Sequence, residues 1–224
     1  MDKKCIIVVT CGKIGTGKDT VANYLCEKYG FTSLSFAYAL KMVCSILFNW
    51  DMKILQASNT ETRKQRELLP NRTLCGREFN VRTALQYMGT DLFRKNFGED
   101  IWVDILKNKI DDIISTSAAT STDIGNYFCT ADMCTVDGSN NIPKIVISDC
   151  RFLNEIAMLE SYGANFICLY RNNEDLEPKE NEHISEHDFL KKIDIMDKIY
   201  NNHGEVTMEN LHQKIDMLMQ NLKK

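Results

Sequence analysis

The stretch Gly12-Lys13-Ile14-Gly15-Thr16-Gly17-Lys18-Asp19-Thr20 decides the fold, because it has the spacing of a phosphate-binding loop. An apolar run, residues 5–11, precedes it, and a segment with helical periodicity, residues 17–29, follows it. The glycines allow the backbone to wrap around an anion, and N–H groups at a helix start favour negative charge. Lys18 can bridge the β- and γ-phosphates of a nucleotide. Residues 12–20 therefore predict a P-loop, the alternative being a glycine-rich turn without a ligand.

One position departs from the common P-loop pattern. Ser or Thr usually follows the lysine and binds magnesium, whereas here Asp19 follows Lys18 and the hydroxyl comes one residue later, at Thr20. Three roles stay open: Asp19 holds hydrated Mg²⁺ through water, Thr20 contacts the phosphate, or Asp19 caps the helix. We expect Mg²⁺ as the cofactor, with Asp19 and Thr20 as candidate metal ligands.

Short β-rich runs alternate with helical segments along the chain, which indicates parallel βαβ units. The strands are predicted at residues 5–11, 32–36, 144–149, 165–170 and 197–200. The helices that follow the first, third and last of them are predicted at 17–29, 152–162 and 207–222. The expected fold class is α/β: a P-loop NTPase with a central parallel five-stranded sheet flanked by helices and with helical acceptor-binding and lid elements.

The length of 224 residues predicts a single domain, residues 1–224. Residues 38–115 would form a helical acceptor-binding insertion, with helices at 38–48, 61–69, 77–95 and 101–115. Residues 116–142 are small and polar and predict a variable loop. Residues 171–187 are dense in charge and predict a lid-like segment, although a solvated loop without a catalytic role fits equally well.

Composition argues against several classes of protein. The net charge of −4 is not that of a nucleic-acid-binding surface, and no stretch approaches the roughly 18 apolar residues of a membrane span. The N-terminus does not have the pattern of a signal peptide. Nine cysteines without a CxxC motif indicate buried thiols in a reducing compartment. We therefore expect a cytoplasmic protein without nucleic-acid or membrane partners, and a homodimer stays open.

A second cluster of polar residues follows the strand predicted at 144–149. Asp149 ends this apolar strand, where P-loop enzymes place a carboxylate near magnesium, although a helix cap is equally consistent. Arg151 and Glu155 lie four residues apart, so both can face the carboxyl ends of the strands. Arg151 could grip an acceptor phosphate with two hydrogen bonds while Glu155 orients it or takes a substrate hydroxyl. A surface ion pair between the two is the alternative.

Several separate segments resemble the deoxynucleoside monophosphate kinases of phage and large DNA viruses, P-loop kinases that are also similar to animal phosphomevalonate kinases. These segments are Gly-x4-Gly-Lys-Asp-Thr at 12–20, Phe36-Ala37 with Leu40-Lys41, Leu85-Gln86 with Gly89-Thr90-Asp91 and Trp102-Val103, Asp149-x-Arg151 with Asn154-Glu155, and His183-x-Ser185-Glu186. Together they span most of the chain, and their order also matches. The Gly-Lys-Asp-Thr variant is more specific than a generic P-loop.

The resemblance implies an enzyme that transfers the γ-phosphate of ATP to a deoxynucleoside monophosphate (dNMP), giving the diphosphate for DNA synthesis, in the host cytoplasm if the protein is viral. It implies three sets of residues: catalytic Lys18, Arg151 and Asp149; ATP-binding Gly15, Gly17, Lys18, Asp19, Thr20 and Val21; and acceptor-binding Leu40, Lys41, Gly89, Thr90, Trp102, Asp104, Arg151 and Glu155. Two alternatives stay open, a phosphomevalonate-type small-molecule kinase and a non-catalytic ATP-binding switch.

Overall fold

The described residues of the computed structural model group into two compact units. We call residues 1–35 with 107–224 the sheet unit and residues 36–106 the helical unit. The structure describes residues 5–57, 60–68, 72–74, 77–118, 142–178, 184, 187–202 and 204–222. Most of the predicted variable loop, 119–141, and part of the predicted lid, 179–183 and 185–186, lie outside these ranges.

A parallel sheet of five strands lies at the centre of the sheet unit. The strands, numbered along the whole chain, are β1 Ile6–Cys11, β2 Thr32–Leu34, β5 Lys144–Ile147, β6 Asn165–Tyr170 and β7 Asp197–Tyr200. Their order is β2-β5-β1-β6-β7. β1 is rich in β-branched residues and almost entirely buried, as expected of a central parallel strand. The predicted five-stranded parallel sheet is confirmed, although β2 and β5 each end two residues earlier than expected.

The order of the strands places two sequence motifs next to each other. β1 pairs with β5 on one side, where Val8 lies opposite Val146, and with β6 on the other, where Cys11 lies opposite Cys168. Because parallel strands end at the same edge of a sheet, the segments that follow β1, β5 and β6 emerge side by side. The P-loop follows β1, and Asp149 follows β5.

Helices cover the sheet. Those predicted at 17–29, 152–162 and 207–222 agree with the structure within one residue at each end, and the one predicted at 101–115 ends three residues later than expected. They are α1 Lys18–Tyr29, α8 Leu153–Ser161 and α9 Met208–Leu222, with α7 Ile101–Ala118 continuing into this unit from the helical unit and short 3-10 helices at Asn173–Leu176 and Asp188–Ile195. α1 ends at Gly30, whose positive φ of 70° lets its N–H reach the Cys26 carbonyl. A core that includes Leu25, Val146 and Ile215 packs α1 and α9 onto the sheet.

Asp216 joins α9 to α1 through three hydrogen bonds. Its carboxylate accepts from the Tyr24 hydroxyl at 2.8 Å, the Tyr29 hydroxyl at 2.7 Å and the Lys28 ammonium at 2.7 Å. The hydrogen bonds from Lys28 and then Tyr29 lower the pKa of Asp216 to about 2 from 3.8. The His212 ring, also on α9, stacks on Tyr24 with ring centroids 3.7 Å apart. The end of α1 is therefore fixed to the middle of α9.

Asp216→Asn is expected to lower the melting temperature at neutral pH, because the amide loses the ionic contact with Lys28. A carboxylate with a depressed folded-state pKa stabilises the protein above the ordinary value of 3.8, and this contribution is lost as the pH falls toward about 2. The difference in melting temperature between wild type and Asp216→Asn should therefore be constant from pH 5 to 7 and shrink below pH 4. Exposed Asp194→Asn is the control; a difference that did not depend on pH would contradict the assignment.

The helical unit is built from short helices around its own core. Its elements are α2 Tyr38–Phe48, α3 Met52–Gln56, α4 Thr60–Leu68, a hairpin of β3 Arg72–Leu74 and β4 Arg77–Phe79, α5 Val81–Gln86, a π-helix Tyr87–Arg94 and α6 Lys95–Phe97, followed by the start of α7. Trp50, Leu55, Val81 and Leu85 lie in its buried core. None of the described helices of either unit is both long and apolar enough to cross a membrane.

The helix predicted at 77–95 is wrong at its beginning. Residues 77–79 pair as an antiparallel strand with residues 72–74, and the helix starts only at Val81. Asn80 sets this start: its side chain accepts a hydrogen bond from the Thr83 N–H at 2.8 Å, while the Thr83 hydroxyl accepts from the Asn80 N–H at 3.0 Å. Such a reciprocal cap fixes a helix N-terminus.

Candidate functional site

The P-loop packs tightly against the ends of β6 and β7. Gly12 has φ 139° and Gly17 has φ 95°, backbone conformations that residues with a side chain rarely adopt. A Cβ atom on Gly12 would lie 2.3 Å from the Leu169 carbonyl oxygen, and one on Gly17 would lie 2.5 Å from Nδ2 of Asn201. The backbone of the loop therefore touches its surroundings at points where only glycine fits.

Lys18 folds back over the loop from the first turn of α1. Its ammonium donates hydrogen bonds to the carbonyl oxygens of Gly12 at 2.6 Å and Lys13 at 2.7 Å. The buried Thr16 hydroxyl also donates to the Lys13 carbonyl, at 2.9 Å. The loop thus holds a cation at its rim, next to backbone N–H groups of a helix N-terminus that favour an anion.

The carboxylate of Asp19 is tied to the end of β5. The Ser148 hydroxyl donates to Oδ1 of Asp19 at 3.0 Å, and Ser148 directly precedes Asp149. The Ser35 hydroxyl donates to Oδ2 of Asp149 at 2.6 Å. The two predicted carboxylates therefore lie at the same edge of the sheet as Lys18, each oriented by a serine.

The oxygen groups at this edge fit a magnesium ion. Within the part of the chain that the structure describes, no cluster of three or more His, Cys, Asp or Glu side chains is placed to hold a metal. Mg²⁺ does not require one, because it usually keeps several waters and takes one or two protein carboxylates together with substrate phosphates. Asp19 is exposed and anchored by Ser148, so its carboxylate suits contact through water. Thr20 is half-buried in the same helical turn.

Two buried thiols, Cys150 after β5 and Cys168 in β6, carry no charge at neutral pH. A hydrogen bond with Cys11, together with burial, raises the pKa of Cys150 well above its usual range. Burial raises the pKa of Cys168 to about 12. Protonated thiols add no negative charge of their own that would oppose a polyphosphate.

The carboxylate of Glu155 is buried and binds backbone N–H groups. It is only 2% exposed and accepts from the N–H groups of Arg151 at 2.7 Å and Phe152 at 3.0 Å. The buried Asp188 carboxylate accepts from the next N–H, that of Leu153, at 3.0 Å. Glu155 therefore positions residue 151 through its backbone. It lies in the interior and not at the surface, where the ion-pair alternative placed it.

Three of the predicted acceptor residues pack together in the helical unit. The Trp102 indole N–H donates to the Gly89 carbonyl oxygen at 3.0 Å, and a Cβ atom on Gly89 would lie 2.8 Å from Cδ2 of Leu40. Leu40 is 8% exposed and Trp102 is 6% exposed. These contacts show what Leu40 and Trp102 do within this unit, which is to fix the backbone around Gly89.

The other predicted acceptor residues of this unit are more accessible. Lys41 and Thr90 are half-buried, and Asp104 is exposed. Thr90 and Gly89 belong to the eight-residue π-helix Tyr87–Arg94. π-helical turns are rare and occur frequently at functional sites, since the wider turn redirects the side chains that follow it. The two remaining predicted acceptor residues, Arg151 and Glu155, belong to the sheet unit.

Val21 is the predicted ATP-binding residue whose side chain is least available. It is 1% exposed and belongs to the core that packs α1 onto the sheet. Gly15, in contrast, is half-buried in the P-loop with φ 80°. Any contact of Val21 with a nucleotide would therefore come from its backbone.

Comparison with known proteins identifies the family. Residues 49–215, about three quarters of the chain, match the model of the deoxynucleotide monophosphate kinase family. The chain belongs to this kinase family. A similar protein from Acanthamoeba polyphaga mimivirus, provisionally named a deoxynucleotide monophosphate kinase, is 29% identical over 181 residues, which cover 79% of this chain and 81% of the mimivirus protein. The predicted family and the predicted enzyme class, a phosphotransferase acting on a nucleotide, are confirmed.

Sequence reasoning missed Asn201, a buried residue that supports the P-loop of this kinase. Asn201 follows β7 and is only 2% exposed. Its backbone N–H donates to the Tyr170 carbonyl oxygen at 2.8 Å, and its Nδ2 donates to the Thr16 carbonyl oxygen at 2.8 Å. No local pattern links residue 201 to residue 16, because the contact depends on the position of β7 in the sheet. Asn201 thus positions the backbone between Thr16 and Gly17.

Asn201→Ala is expected to weaken binding of ATP to this kinase by about tenfold, because the Thr16 carbonyl loses its buried partner and the loop relaxes. Titration with a fluorescent ATP analogue measures the effect. Asn202→Ala is the matched control, since Asn202 is the same residue type one position later and contacts Glu205 and the Gly204 N–H instead. Equal affinities of the two variants would contradict the assignment.

Proposed function

We propose that this member of the family transfers the γ-phosphoryl group of ATP to a dNMP, giving ADP and the deoxynucleoside diphosphate for DNA synthesis. The observation that carries the proposal is the position of Lys18, whose ammonium lies 2.6 Å from the Gly12 carbonyl oxygen at the rim of the P-loop. A cation held there, beside loop N–H groups, suits the β- and γ-phosphates of a nucleoside triphosphate.

The donor nucleotide is held by the P-loop and the first turn of α1. In this proposal Gly15 and Gly17 let backbone N–H groups approach the phosphates, Lys18 neutralises them and the backbone at Val21 extends the contact. Asp19 and Thr20 would hold Mg²⁺, directly or through water, and Asp149 lies at the same edge of the sheet. The ion supplies neutralisation of charge on the β- and γ-phosphates.

The acceptor monophosphate is bound by the eight residues that the family resemblance indicates. We assign this role to Leu40, Lys41, Gly89, Thr90, Trp102, Asp104, Arg151 and Glu155. Arg151 is the residue suited to grip a phosphate, because a guanidinium offers two parallel hydrogen bonds, and the buried Glu155 carboxylate fixes its backbone. Leu40 and Trp102 act through the backbone of Gly89, since both are buried.

The reaction depends on positioning of the two substrates and on neutralisation of their phosphate charge more than on a general base. An oxygen of the acceptor phosphate, already anionic near neutral pH, attacks the γ-phosphorus in line, the bond to the β–γ bridging oxygen breaks, and ADP leaves. Lys18 and Arg151 offset the negative charge that two phosphorylated substrates bring together. We place the enzyme in the cytoplasm, the host cytoplasm if the chain is viral, with ATP and a dNMP as its partners.

Release of ADP from Mg·ATP tests the proposal. The acceptors are dTMP, dGMP, dCMP, dAMP, their ribose counterparts and phosphomevalonate, each compared with ATP alone. Turnover with at least one deoxynucleotide, and not with phosphomevalonate, is the expected result. Turnover with phosphomevalonate alone would make the chain a small-molecule phosphate kinase, and ATP binding without any product would make it a nucleotide-dependent switch.

A further inference from the structure

Arg171, a residue with no role in the site described above, lies beside the P-loop. It directly follows β6, the strand next to β1, so it emerges at the same edge of the sheet as the loop. One of its terminal guanidinium nitrogens, Nη1, lies 3.5 Å from the position that a Cβ atom on Gly15 would occupy. The guanidinium therefore lies next to Gly15 of the loop.

A buried carboxylate sets the direction of this guanidinium. Oδ2 of Asp175, which is 5% exposed, accepts from the Arg171 backbone N–H at 2.9 Å and from its Nε at 3.2 Å. Burial by itself raises the pKa of Asp175, but the hydrogen bonds from Arg171 outweigh it and hold the pKa below its ordinary value. Asp175 is thus a stable anion that engages only the Nε side of the guanidinium.

The terminal nitrogens of Arg171 remain available to a ligand. Among the described ranges of the chain, no residue forms a hydrogen bond or ion pair with Nη1 or Nη2. The side chain is 41% exposed, so solvent or a bound molecule can reach it. A guanidinium presents these nitrogens as a planar fork suited to phosphate oxygens.

Lys13 fixes the segment that carries Arg171 to the loop. Lys13 is 4% exposed, and its ammonium donates to the Glu177 carbonyl oxygen at 2.8 Å. The Asp175 N–H also donates to the Asn172 side-chain oxygen at 3.0 Å, which closes the short 3-10 helix Asn173–Leu176. Residues 171–177 are therefore continuous with β6 at one end and bonded to the P-loop through Lys13 at the other, and Asp175 holds Arg171 in place before any nucleotide binds.

We propose that Arg171 binds the polyphosphate of the donor nucleotide at the P-loop, and that Asp175 is its positioning residue. The inference rests on the proposed function, because it takes ATP as the ligand of the P-loop. Arg171 would be a second cation at the phosphates of ATP, in addition to Lys18. Lys18 follows β1 and the P-loop, whereas Arg171 follows β6.

Binding of two probes, ATP and inorganic tripolyphosphate, tests this assignment by displacement of a fluorescent ATP analogue. Arg171→Gln keeps much of the side-chain length but not the charge, and should raise the Kd for both probes about tenfold to a hundredfold. Arg171→Lys should recover part of that loss. The KM for the dNMP at saturating ATP should not change. Lys192→Ala is the control, because Lys192, at 42% exposed, is likewise a partly exposed cation paired with one carboxylate, that of Glu160 near the far end of α8.

A second comparison separates positioning from general stability. Asp175→Asn should also weaken both probes, and the double variant Arg171→Gln with Asp175→Asn should lose no more affinity than Arg171→Gln alone, since Asp175 acts through Arg171. Additive losses would overturn the positioning role. Melting temperatures of all variants identify any loss of affinity that comes from unfolding. If Arg171→Gln does not fold, Arg171→Lys is used for the test. A Kd of Arg171→Lys equal to that of wild type for both probes would then overturn the proposal.

The outcomes distinguish this inference from the proposed function. Wild type that binds neither probe overturns both. Wild type that binds both probes while Arg171→Gln binds them equally well overturns only the role of Arg171. A loss of ATP affinity without a loss of tripolyphosphate affinity also overturns it, because the guanidinium would then contact the base or the ribose.

Discussion

Lys18→Ala is expected to lower kcat about 10²- to 10³-fold, while the folded structure persists. The ammonium lies at the rim of the P-loop, bonded to the carbonyl oxygens of Gly12 and Lys13. Negative charge grows on the leaving oxygen of ADP as its bond to the γ-phosphorus breaks, so a cation at this point stabilises the transition state more than the bound substrates. Steady-state turnover with Mg·ATP and the preferred dNMP measures the effect.

Stability provides the first control for this variant. The loop keeps the hydrogen bonds from Thr16 to the Lys13 carbonyl and from Asn201 to the Thr16 carbonyl, so the melting temperature of Lys18→Ala should stay close to that of wild type. Lys107→Ala, which removes an exposed lysine on α7, should leave kcat unchanged. Full turnover by a folded Lys18→Ala protein would remove Lys18 from the catalytic residues.

The parts of the site that sequence predicted are those in which the motif and its structural context are adjacent in the chain. The P-loop lies between a β-branched run and an amphipathic helix, so β1, the loop and α1 follow from about 25 consecutive residues. Asp149 was predicted for the same reason, because an apolar strand directly precedes it. Strand order then brings both motifs to one edge, and the general rule for parallel sheets supplies that step.

The parts that sequence did not predict depend on contacts between distant residues. Asn201 supports Thr16 from the end of β7, and Arg171 reaches Gly15 from the end of β6, so neither contact has a local signature. Glu155 shows a related limit: its spacing from Arg151 left a surface ion pair open as an alternative, but the carboxylate is buried and accepts from backbone N–H groups. Charge spacing alone does not reveal whether a carboxylate faces solvent or peptide groups.

The helical unit shows the same limit at the level of secondary structure. Periodicity predicted one helix over 77–95, but residues 77–79 form a strand and Tyr87–Arg94 form a π-helix. A π-helical turn adds one residue without changing which residues are apolar, so hydrophobic spacing cannot distinguish it from an α-helix. The predicted acceptor residues Gly89 and Thr90 lie in this segment, so the sequence alone could not predict how they are oriented.

Gly12→Ala is expected to destabilise the protein by about 3 kcal/mol or more and to abolish measurable binding of ATP. Gly12 has φ 139°, and an added Cβ would lie 2.3 Å from the carbonyl oxygen of Leu169. That oxygen belongs to β6, a strand hydrogen-bonded on both sides, so it cannot move aside cheaply. The loop itself must move, and with it the carbonyl oxygen that accepts from Lys18.

Gly30→Ala separates the clash from the backbone strain. Gly30 also has a positive φ, 70°, but no atom lies within 4 Å of an added Cβ, so this variant should lose only about 1 kcal/mol and keep its affinity for ATP. Chemical denaturation and titration of both variants give the two quantities. If Gly12→Ala cost no more stability than Gly30→Ala, the contact with Leu169 would not constrain the loop; if it cost more stability but kept ATP affinity, the position of the Gly12 carbonyl would not matter for the nucleotide.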